Sequence, residues 1–356
     1  MRQNASSLYQ WLMIGFLAAG LTGCATLGWY GQAAHGQLEL LLKRKDIEKL
    51  LAAPDLAPAR RQRLEHVLAV RAFAADALAL PHEGSYGDFV ALDRDAVVYN
   101  VVAAPEFSVE PRTWCYPIAG CVSYRGYFRR SAAERYAARL DEQGYDTAVL
   151  PVAAYSTLGR FDDPVTSPML ARSPTQLAAL LFHELAHQRV FVPGDTRFNE
   201  AYATAVERAG VRRWLGRRGD DAALQQWESG QRTRRAFTAL LLETRAALAA
   251  LYRRDLDAAA KRAAKQATFA RLRDRYAAFR RETGDARFDG WMRRELNNAH
   301  LAVTKAYEAG TDAFGDLLAE CGGDLARFHH AAERLAAAER SVRAAFLNRS
   351  RIPSCP

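Results

Sequence analysis

The sequence predicts a predominantly α-helical α+β fold. β-branched segments bounded by Gly, Pro and Asp are confined to residues 81–172, whereas apolar residues recur at helical spacing on both sides of that stretch. With 356 residues, 49% of them hydrophobic, the chain is long and apolar enough for a large core, and its five cysteines are too few for a disulfide-dense scaffold. We therefore expect a small β-sheet, a helix pair over residues 173–215 and long helices over residues 220–349.

The N-terminus has the pattern of an export signal. The apolar run Trp11–Leu21 is shorter than the roughly 20 residues that a transmembrane helix needs, and it fits the apolar core of a signal peptide. The ending Leu-Thr-Gly-Cys24 resembles the lipobox of bacterial lipoproteins, although an ordinary signal peptide beside a cysteine is the alternative. We expect a signal peptide over residues 1–23 and acylation of Cys24, which anchors the chain in a lipid bilayer. Ala25 after the cysteine implies, by the same resemblance, an outer-membrane lipoprotein that faces the periplasm of a Gram-negative bacterium.

Four further cysteines follow, and an oxidising compartment favours their pairing. Four cysteines allow three pairings. Cys115 and Cys121 close a short loop with Pro and Gly, which suits a local bridge, and a bridge from Cys321 to Cys355 would hold the C-terminus. A zinc site built from two or more of them is the alternative, but their wide and irregular spacing argues against it.

The elements follow in order along residues 24–356, which we expect to form a single domain because no linker divides them. Residues 24–80 read as helices separated by Pro54 and Pro58. Within residues 81–172, the segments Asp95–Phe107 and Tyr145–Gly159 read as strands of a sheet of three or four strands, with a hairpin between them. Ser131–Glu134 reads as a capping box that opens a short helix ending at Gly144. In the C-terminal region we expect breaks at Gly290, Gly310 and Gly322–Gly323.

The chemistry is concentrated on one helix, which Ser173, Pro174 and Gln176 open as N-cap, first residue and third residue. The helix contains His183-Glu184-Leu-Ala-His187, an H-E-x-x-H motif. Four residues advance about 6 Å and return to the same helix face, so both imidazoles can bind one Zn²⁺. Glu184 beside them is expected to be the catalytic base that acts on water.

A third ligand follows after a turn through Pro193 and Gly194. If the next helix folds back antiparallel, Glu200 at its start lies near His187, and Glu207 lies two turns further on beside His183. We expect Glu200 to be the third ligand and Glu207 to orient a histidine, with the reverse assignment as the alternative. Glu207 could also be a surface carboxylate paired with Arg208 or Arg212.

The pair HELAH and NEAYA resembles the gluzincin metallopeptidases, in which an Asn-Glu pair on a following helix supplies the third zinc ligand. The spacer of twelve residues before Glu200 is shorter than in the large families of that group. The chain is more similar to predicted zinc aminopeptidases of Gram-negative bacteria, which are often lipoproteins. The segments that carry this similarity are WCYPIAGCVSYRGYF, AYSTLGRFDDP, HELAHQ, FNEAYATAVE and LNNAHLAVTKAY. The resemblance implies zinc-dependent hydrolysis of peptides and makes Asn199, with Glu207, a residue that supports the ligands.

The remaining catalytic candidates rest on weaker signals. Metallopeptidases need a donor for the oxyanion, and gluzincins commonly take it from a later helical segment. We expect Tyr307 to be this donor, and His300 and Tyr202 are the next candidates. The alternative for Tyr307 is that it is an aromatic residue of the core. The adjacent Asn297 and Asn298 read as mid-helix residues, whose cost is offset by hydrogen bonds to substrate or across a buried helix contact.

Substrate contacts are also suggested before the zinc helix. The segment Ala154–Pro164 is, by resemblance to other zinc peptidases, a candidate edge strand for an extended peptide. An aminopeptidase needs a carboxylate for the free amine of its substrate. The candidates are Glu83, Glu106, Asp162 and Asp163.

The distribution of charge limits the classes of partner that the chain is expected to bind. The net charge is +9, and residues 253–281 hold ten basic and three acidic residues. No recognition motif accompanies this stretch in an exported chain, so nucleic acid is not expected. A solvated helix face is one interpretation, and attraction to anionic lipid or an acidic partner is another.

The leading hypothesis is therefore a lipid-anchored zinc aminopeptidase. A zinc endopeptidase is the first alternative. The second is a non-catalytic envelope lipoprotein with structural zinc, and any protein partner stays unknown. The intact Glu184 favours catalysis, because a structural zinc site needs no base.

Overall fold

The computed structural model describes residues 28–81, 84–116, 120–154, 162–302, 304, 310–350 and 354–355. It confirms a predominantly α-helical α+β fold. The first elements are α1 (28–42), β1 (Lys45–Asp46), α2 (Ile47–Ala52), α3 (Pro58–Leu78), β2 (Asp88–Val90), β3 (Val98–Pro105), β4 (Trp114–Tyr116), β5 (Gly120–Val122), β6 (Arg125–Tyr127), α4 (Arg130–Asp141), β7 (Tyr145–Val152) and β8 (Val165–Thr166). The remaining elements are α5 (Ser167–Leu170), α6 (Pro174–Arg189), α7 (Thr196–Arg217), α8 (Asp221–Tyr252), α9 (Ala258–Thr283), α10 (Asp289–Met292), α11 (Asn298–Ala302), α12 (Thr311–Glu320), α13 (Leu325–Ala337) and α14 (Arg340–Leu347). Among the described residues, no helix has both the length and the apolar composition of a membrane span.

The strands form three small sheets, so the prediction of a single sheet was wrong. One antiparallel sheet has the order β6-β3-β7, a second has the order β1-β2-β8, and β4 and β5 form a hairpin. Strands β1 and β8 have two residues each. A strand that short leaves no alternation in the sequence, and for this reason the second sheet went undetected.

Helices cover both faces of the β6-β3-β7 sheet. Tyr99, Val101 and Ala103 belong to a buried cluster with α4 on one face. Val102 packs with Ala299 of α11 on the other. The alternation of side chains along β3 therefore buries the strand on both sides.

The predicted capping box at Ser131 was also wrong. Helix α4 begins two residues earlier than a cap at Ser131 implies, and its N-cap is the extended Arg129, which makes no side-chain capping bond. The amides of Ala132 and Ala133 already donate to the Arg129 carbonyl. Ser131 thus lies inside the first turn, where its side chain cannot cap the helix.

The largest core joins α3, α6 and α7 to the C-terminal helices α12, α13 and α14. At the crossing of α6 and α7, a Cβ on Gly210 would lie 2.7 Å from Cδ2 of Phe182 and 2.8 Å from Cδ1 of Leu78. The missing side chain lets the two helices approach closely at this point.

Helices α8 and α9 form a hairpin around a second core, to which Val109, Met292 of α10 and Leu301 of α11 also contribute. Several basic residues of α9 pair with carboxylates on other elements: Arg262 with Glu106, Lys265 with Asp146, Arg275 with Glu243 and Arg280 with Asp289. These pairs fasten the basic stretch to its neighbours, including the end of β3 and the start of β7.

Two sequence-based boundaries near this hairpin need correction. The break expected at Gly290 lies at Gly284, the left-handed C-cap of α9, whereas Gly290 is inside the short α10. Asn297 and Asn298 lie at the start of α11, not in mid-helix. Their side-chain amides donate to the backbone of β3, β7 and the residue after β3, at Thr147 (2.8 Å), Pro105 (3.2 Å) and Glu106 (2.9 Å). Hydrogen bonds across a buried contact therefore offset the cost of two adjacent asparagines at this position.

Both expected disulfides are present. Cys115 and Cys121 join β4 to β5, and Cys321 joins Cys355 across a separation of 34 residues. The β4–β5 hairpin lies against the turn between α6 and α7, since a Cβ on Gly120 would lie 2.7 Å from the amide nitrogen of Gly194.

Candidate metal centre

Helix α6 begins where the sequence predicts, with a capping box. Ser173 Oγ accepts from the Gln176 amide at 3.3 Å, and the Ser173 amide donates to Gln176 Oε1 at 3.3 Å. Pro174 occupies the first turn, where no amide donor is needed. The apolar face of α6 is buried, and His183 and Glu184 are left half-buried on its accessible side.

The turn to α7 is held by side chains. Asp195 Oδ1 accepts from the amide of Phe198 at 3.2 Å, so α7 starts at Thr196, before the predicted Asn199. The other oxygen, Oδ2, accepts from Nε of Arg343 on α14 at 2.8 Å. The buried Asn199 accepts from the Val192 amide at 2.8 Å and donates to the Val192 carbonyl at 2.9 Å. Asn199 thus closes the turn, and these hydrogen bonds reach no histidine or carboxylate.

The turn brings the three predicted ligands together. Nε2 of His183 lies 3.2 Å from Nε2 of His187 and 3.4 Å from Oε2 of Glu200, and Nε2 of His187 lies 3.7 Å from Oε1 of Glu200. Among the described residues this is the one group of three potential ligands whose atoms all lie within 4.8 Å of one another.

These distances fit a tetrahedral zinc ion. Zinc binds nitrogen and oxygen at about 2.0–2.2 Å, so neighbouring ligand atoms of a tetrahedral site are about 3.3–3.6 Å apart. The three separations fall close to this range. Two imidazoles and one carboxylate are also the donor set of open zinc sites, which leave a fourth position for water.

Glu207 contacts His183 on the side of its ring away from the other two ligands. Its Oε2 lies 3.2 Å from Nδ1 of His183, the nitrogen that does not face His187 and Glu200. Of the two alternative partners, Arg208 and Arg212, the second binds Glu228 at 3.1 Å. His187 differs, because its Nδ1 is buried without a hydrogen-bond partner among the described residues.

The pKa values of the two histidines are shifted in opposite directions. Burial disfavours the imidazolium of His183, but hydrogen bonds and charges from Glu200 and Glu207 outweigh it and raise its pKa well above the ordinary value. Burial, followed by repulsion from His183, lowers the pKa of His187 to about 4. Burial also opposes ionisation of Glu200, yet His183 and His187 lower its pKa overall. These opposite shifts favour the proton on His183 over the proton on His187.

Glu184 has the properties of a base that titrates near neutrality. Burial raises its pKa to about 7, with His183 lowering it and the charges of Glu200, Asp163 and Glu207 raising it further. Its carboxylate makes no hydrogen bond to a described residue, and Glu184 as a whole is half-buried.

A segment that sequence analysis missed lies beside this helix. Gln188 Nε2 donates to Ser85 Oγ at 2.9 Å, and the Asp163 amide donates to the same oxygen at 3.1 Å. The Tyr86 amide donates to the Asp163 carbonyl at 2.6 Å. Tyr86 has φ of 60°, which is unusual for a bulky residue, and burial together with the charges of Glu184 and Asp163 raises its pKa. The flanking Gly84 and Gly87 were the signal available in the sequence.

The alternative oxyanion donors have other partners. Tyr202 is fully buried, its hydroxyl lies 2.7 Å from Nδ1 of His329, and its ring stacks on Phe328. Nδ1 of His300 lies 2.9 Å from Oδ1 of Asn297, and burial lowers the pKa of His300 to about 4. Tyr202 is thus a core aromatic, and the hydrogen bond described for the His300 ring stays within the α11 segment.

The other predicted positions fall into two groups. Cys24, Glu83, Tyr307 and residues 155–161 lie outside the described residues. Of the amine-binding candidates, Glu106 pairs with Arg262, whereas the buried Asp163 lies near enough to Glu184 for its charge to raise the pKa of that residue. The described residues 162–164 precede β8 and form no strand.

Comparison with known proteins gives one match. A family model described as "Putative aminopeptidase" matches residues 28–347. No curated protein and no solved structure has a significant match to the chain.

Proposed function

Since this chain belongs to the putative aminopeptidase family, we propose that it is a zinc-dependent peptidase that removes residues from the amino terminus of peptides. The observation that carries the proposal is the group His183, His187 and Glu200, with ligand atoms at the spacing of a tetrahedral zinc site and Glu184 on the same helix.

Each residue of the site has a separate role in the proposed hydrolysis. His183, His187 and Glu200 would hold zinc, and a zinc ion there would supply Lewis-acid activation of water and of the scissile carbonyl. Glu184 removes the proton of the attacking water and returns it to the leaving amine, a task that suits a carboxylate whose pKa is about 7. Glu207 holds His183 in orientation through Nδ1.

Metal analysis and a single substitution test this proposal. The purified chain should contain one zinc ion and hydrolyse peptides, and Glu184→Gln should keep the zinc while losing a factor of roughly 10²–10⁴ in kcat. Glu228→Gln on α8 is the matched control, because this exposed carboxylate pairs with Arg212. Full activity after zinc removal would refute the proposal. Zinc without any peptidase activity in the wild type would favour the structural alternative.

The aminopeptidase assignment needs its own comparison. Peptides with free amino termini should be cleaved, and the same peptides with acetylated termini should resist, because the acetyl group removes the charge that a carboxylate near the metal would bind. Equal cleavage of both sets would identify an endopeptidase.

We also propose that Cys24 anchors the protein to the outer membrane, facing the periplasm. The support is the apolar run Trp11–Leu21 that ends in a lipobox-like sequence. Cys24→Ser should abolish incorporation of labelled fatty acid and shift the protein out of the outer-membrane fraction.

A further inference from the structure

The first helix, α1, is fixed on one side by the protein. The indole nitrogen of Trp29 donates to the carbonyl of Gly126 at 2.9 Å, and Gln32 Oε1 accepts from the amide of Phe128 at 3.1 Å. Leu40, further along the same face, is 2% exposed. These contacts at both ends of the helix determine which face α1 presents outward.

The outward face is mainly apolar, with His35 as its exposed polar side chain. Tyr30, Ala34, Leu38 and Leu42 follow one another at intervals of four residues, so they form one stripe along the helix. The exposed fractions are 44% for Tyr30, 51% for Leu38 and 76% for Leu42. Elsewhere among the described residues, only Tyr124 and Val342 are large apolar side chains that are exposed in this way.

Charge is absent from the stripe and present at its end. Glu39 is the one acidic residue of α1, and it is held by Lys43 at 2.9 Å and by Arg94 at 3.2 Å. Lys43 directly follows Leu42, Lys45 is the first residue of β1, and both are exposed. The acidic residues nearby are Asp46, which accepts from the amide of Lys49 at the start of α2, and the exposed Glu48. An apolar face bordered by cations is typical of helices that lie in the headgroup region of a bilayer.

The position of α1 in the chain identifies what covers this face. The described part of α1 begins at residue 28, four residues after Cys24. An acyl chain on Cys24 would hold the start of α1 within about 14 Å of lipid, because four residues span at most that distance. We propose that the Tyr30–Leu42 stripe lies on the bilayer surface as a second membrane contact, with Lys43 and Lys45 at the phospholipid headgroups.

This contact has a consequence that lipidation alone lacks. An acylated cysteine is a single point of attachment about which a protein can turn. A rigid helix face beside it sets one orientation of the folded protein relative to the membrane. The inference rests on the proposed anchoring at Cys24 and is independent of the proposed peptidase activity.

Fluorescent labels can test which residues meet lipid. The full acylated chain, with an additional cysteine from Leu38→Cys, Leu42→Cys or Val342→Cys, is labelled with an environment-sensitive fluorophore and reconstituted in phosphatidylcholine vesicles. Labels at 38 and 42 should shift to shorter wavelength and be quenched by brominated lipid at least threefold more strongly than the label at 342. Val342 is the matched control, because it is an apolar residue of similar exposure on α14.

Three results would overturn the membrane contact, each in a different way. Equal quenching at all three positions would show that the stripe does not face lipid in preference to the rest of the surface. A wavelength shift without lipid quenching would show that a second copy or the N-terminal segment covers the face. Protein that does not float with the vesicles would refute both the anchor and the contact. Peptidase activity measured on the same samples reports separately on the proposed function and on folding of the variants.

Discussion

Glu207 Oε2 lies 3.2 Å from Nδ1 of His183, while the other nitrogen of that ring faces His187 and Glu200. One carboxylate of α7 thus contacts Nδ1 of His183, and another carboxylate seven residues earlier lies near Nε2 of the same ring. The two-turn spacing on α7 places both on the side that meets α6.

Glu207→Ala should therefore weaken zinc binding without removing a ligand. Loss of such a supporting partner typically costs 10- to 100-fold in metal affinity. Competition titration with a chelating dye measures this affinity, and Glu228→Ala provides the control. Unchanged affinity would show that Glu207 does not orient His183.

The approach of α6 and α7 predicts opposite effects of two glycine substitutions on one helix. Gly210→Ala places a methyl group against Phe182 and Leu78, and it should reduce the free energy of unfolding by about 1–3 kcal/mol. Gly216→Ala in the last turns of α7 meets nothing within 4 Å, and it should raise the free energy of unfolding by about 0.5–1 kcal/mol. Urea denaturation of both variants checks the signs, and stabilisation by Gly210→Ala would contradict the close crossing.

The two disulfides should differ in their contribution to stability. In the chain-entropy model, the loop of 34 residues between Cys321 and Cys355 stabilises by about 4 kcal/mol, and the loop of 6 between Cys115 and Cys121 by about 2 kcal/mol. Double Cys→Ser variants of each pair, compared by denaturation without zinc, test this order. A greater loss from the shorter loop would show that its packing against the α6–α7 turn outweighs the entropy of the loop.

The buried pair of Tyr202 and His329 predicts a pH dependence of stability. His329 Nε2 lies 2.8 Å from the carbonyl of Leu78, so it donates there, and Nδ1 accepts from the Tyr202 hydroxyl. Burial lowers the pKa of His329 to about 4, below the value of about 6.5 expected in the unfolded chain. The stabilisation is thus complete above about pH 6.5 and is lost as the pH falls toward 4, because the unfolded chain binds the proton first.

The size of this effect is measurable. Between pH 7.5 and pH 5, His329 should account for a loss of about 2 kcal/mol in the free energy of unfolding. His329→Gln should flatten the pH profile of zinc-free protein by this amount, as measured by urea denaturation. Parallel profiles for wild type and variant would contradict the assignment.

Sequence reasoning succeeded where a pattern is local. The capping box of Ser173 and Gln176 lies within one helical turn, and the structure begins α6 there. The grouping of His183, His187 and Glu200 follows from helix spacing and one turn, and the structure brings these residues together. Their role as zinc ligands stays a prediction.

Reasoning failed where the deciding contact is distant. Tyr202 was considered as an oxyanion donor, although its hydroxyl binds His329. The sequence does not reveal this contact, because His329 lies 127 residues away and no pattern joins the two residues. Tyr86 was missed because a strained backbone angle on a tyrosine has no signature in the sequence. Ser131 looked like a helix cap because its spacing to Glu134 is correct, but backbone bonds to Arg129 start the helix earlier.

Asp195 connects the turn before α7 to a distant part of the chain. One oxygen of its carboxylate accepts from the first turn of α7, and the other accepts from Arg343, 148 residues later. Because synthesis proceeds from the N-terminus, both histidines and Glu200 are made long before Arg343. The turn between α6 and α7 therefore gains this ion pair only after Arg343 has been made, so it reaches its final rigidity late in folding.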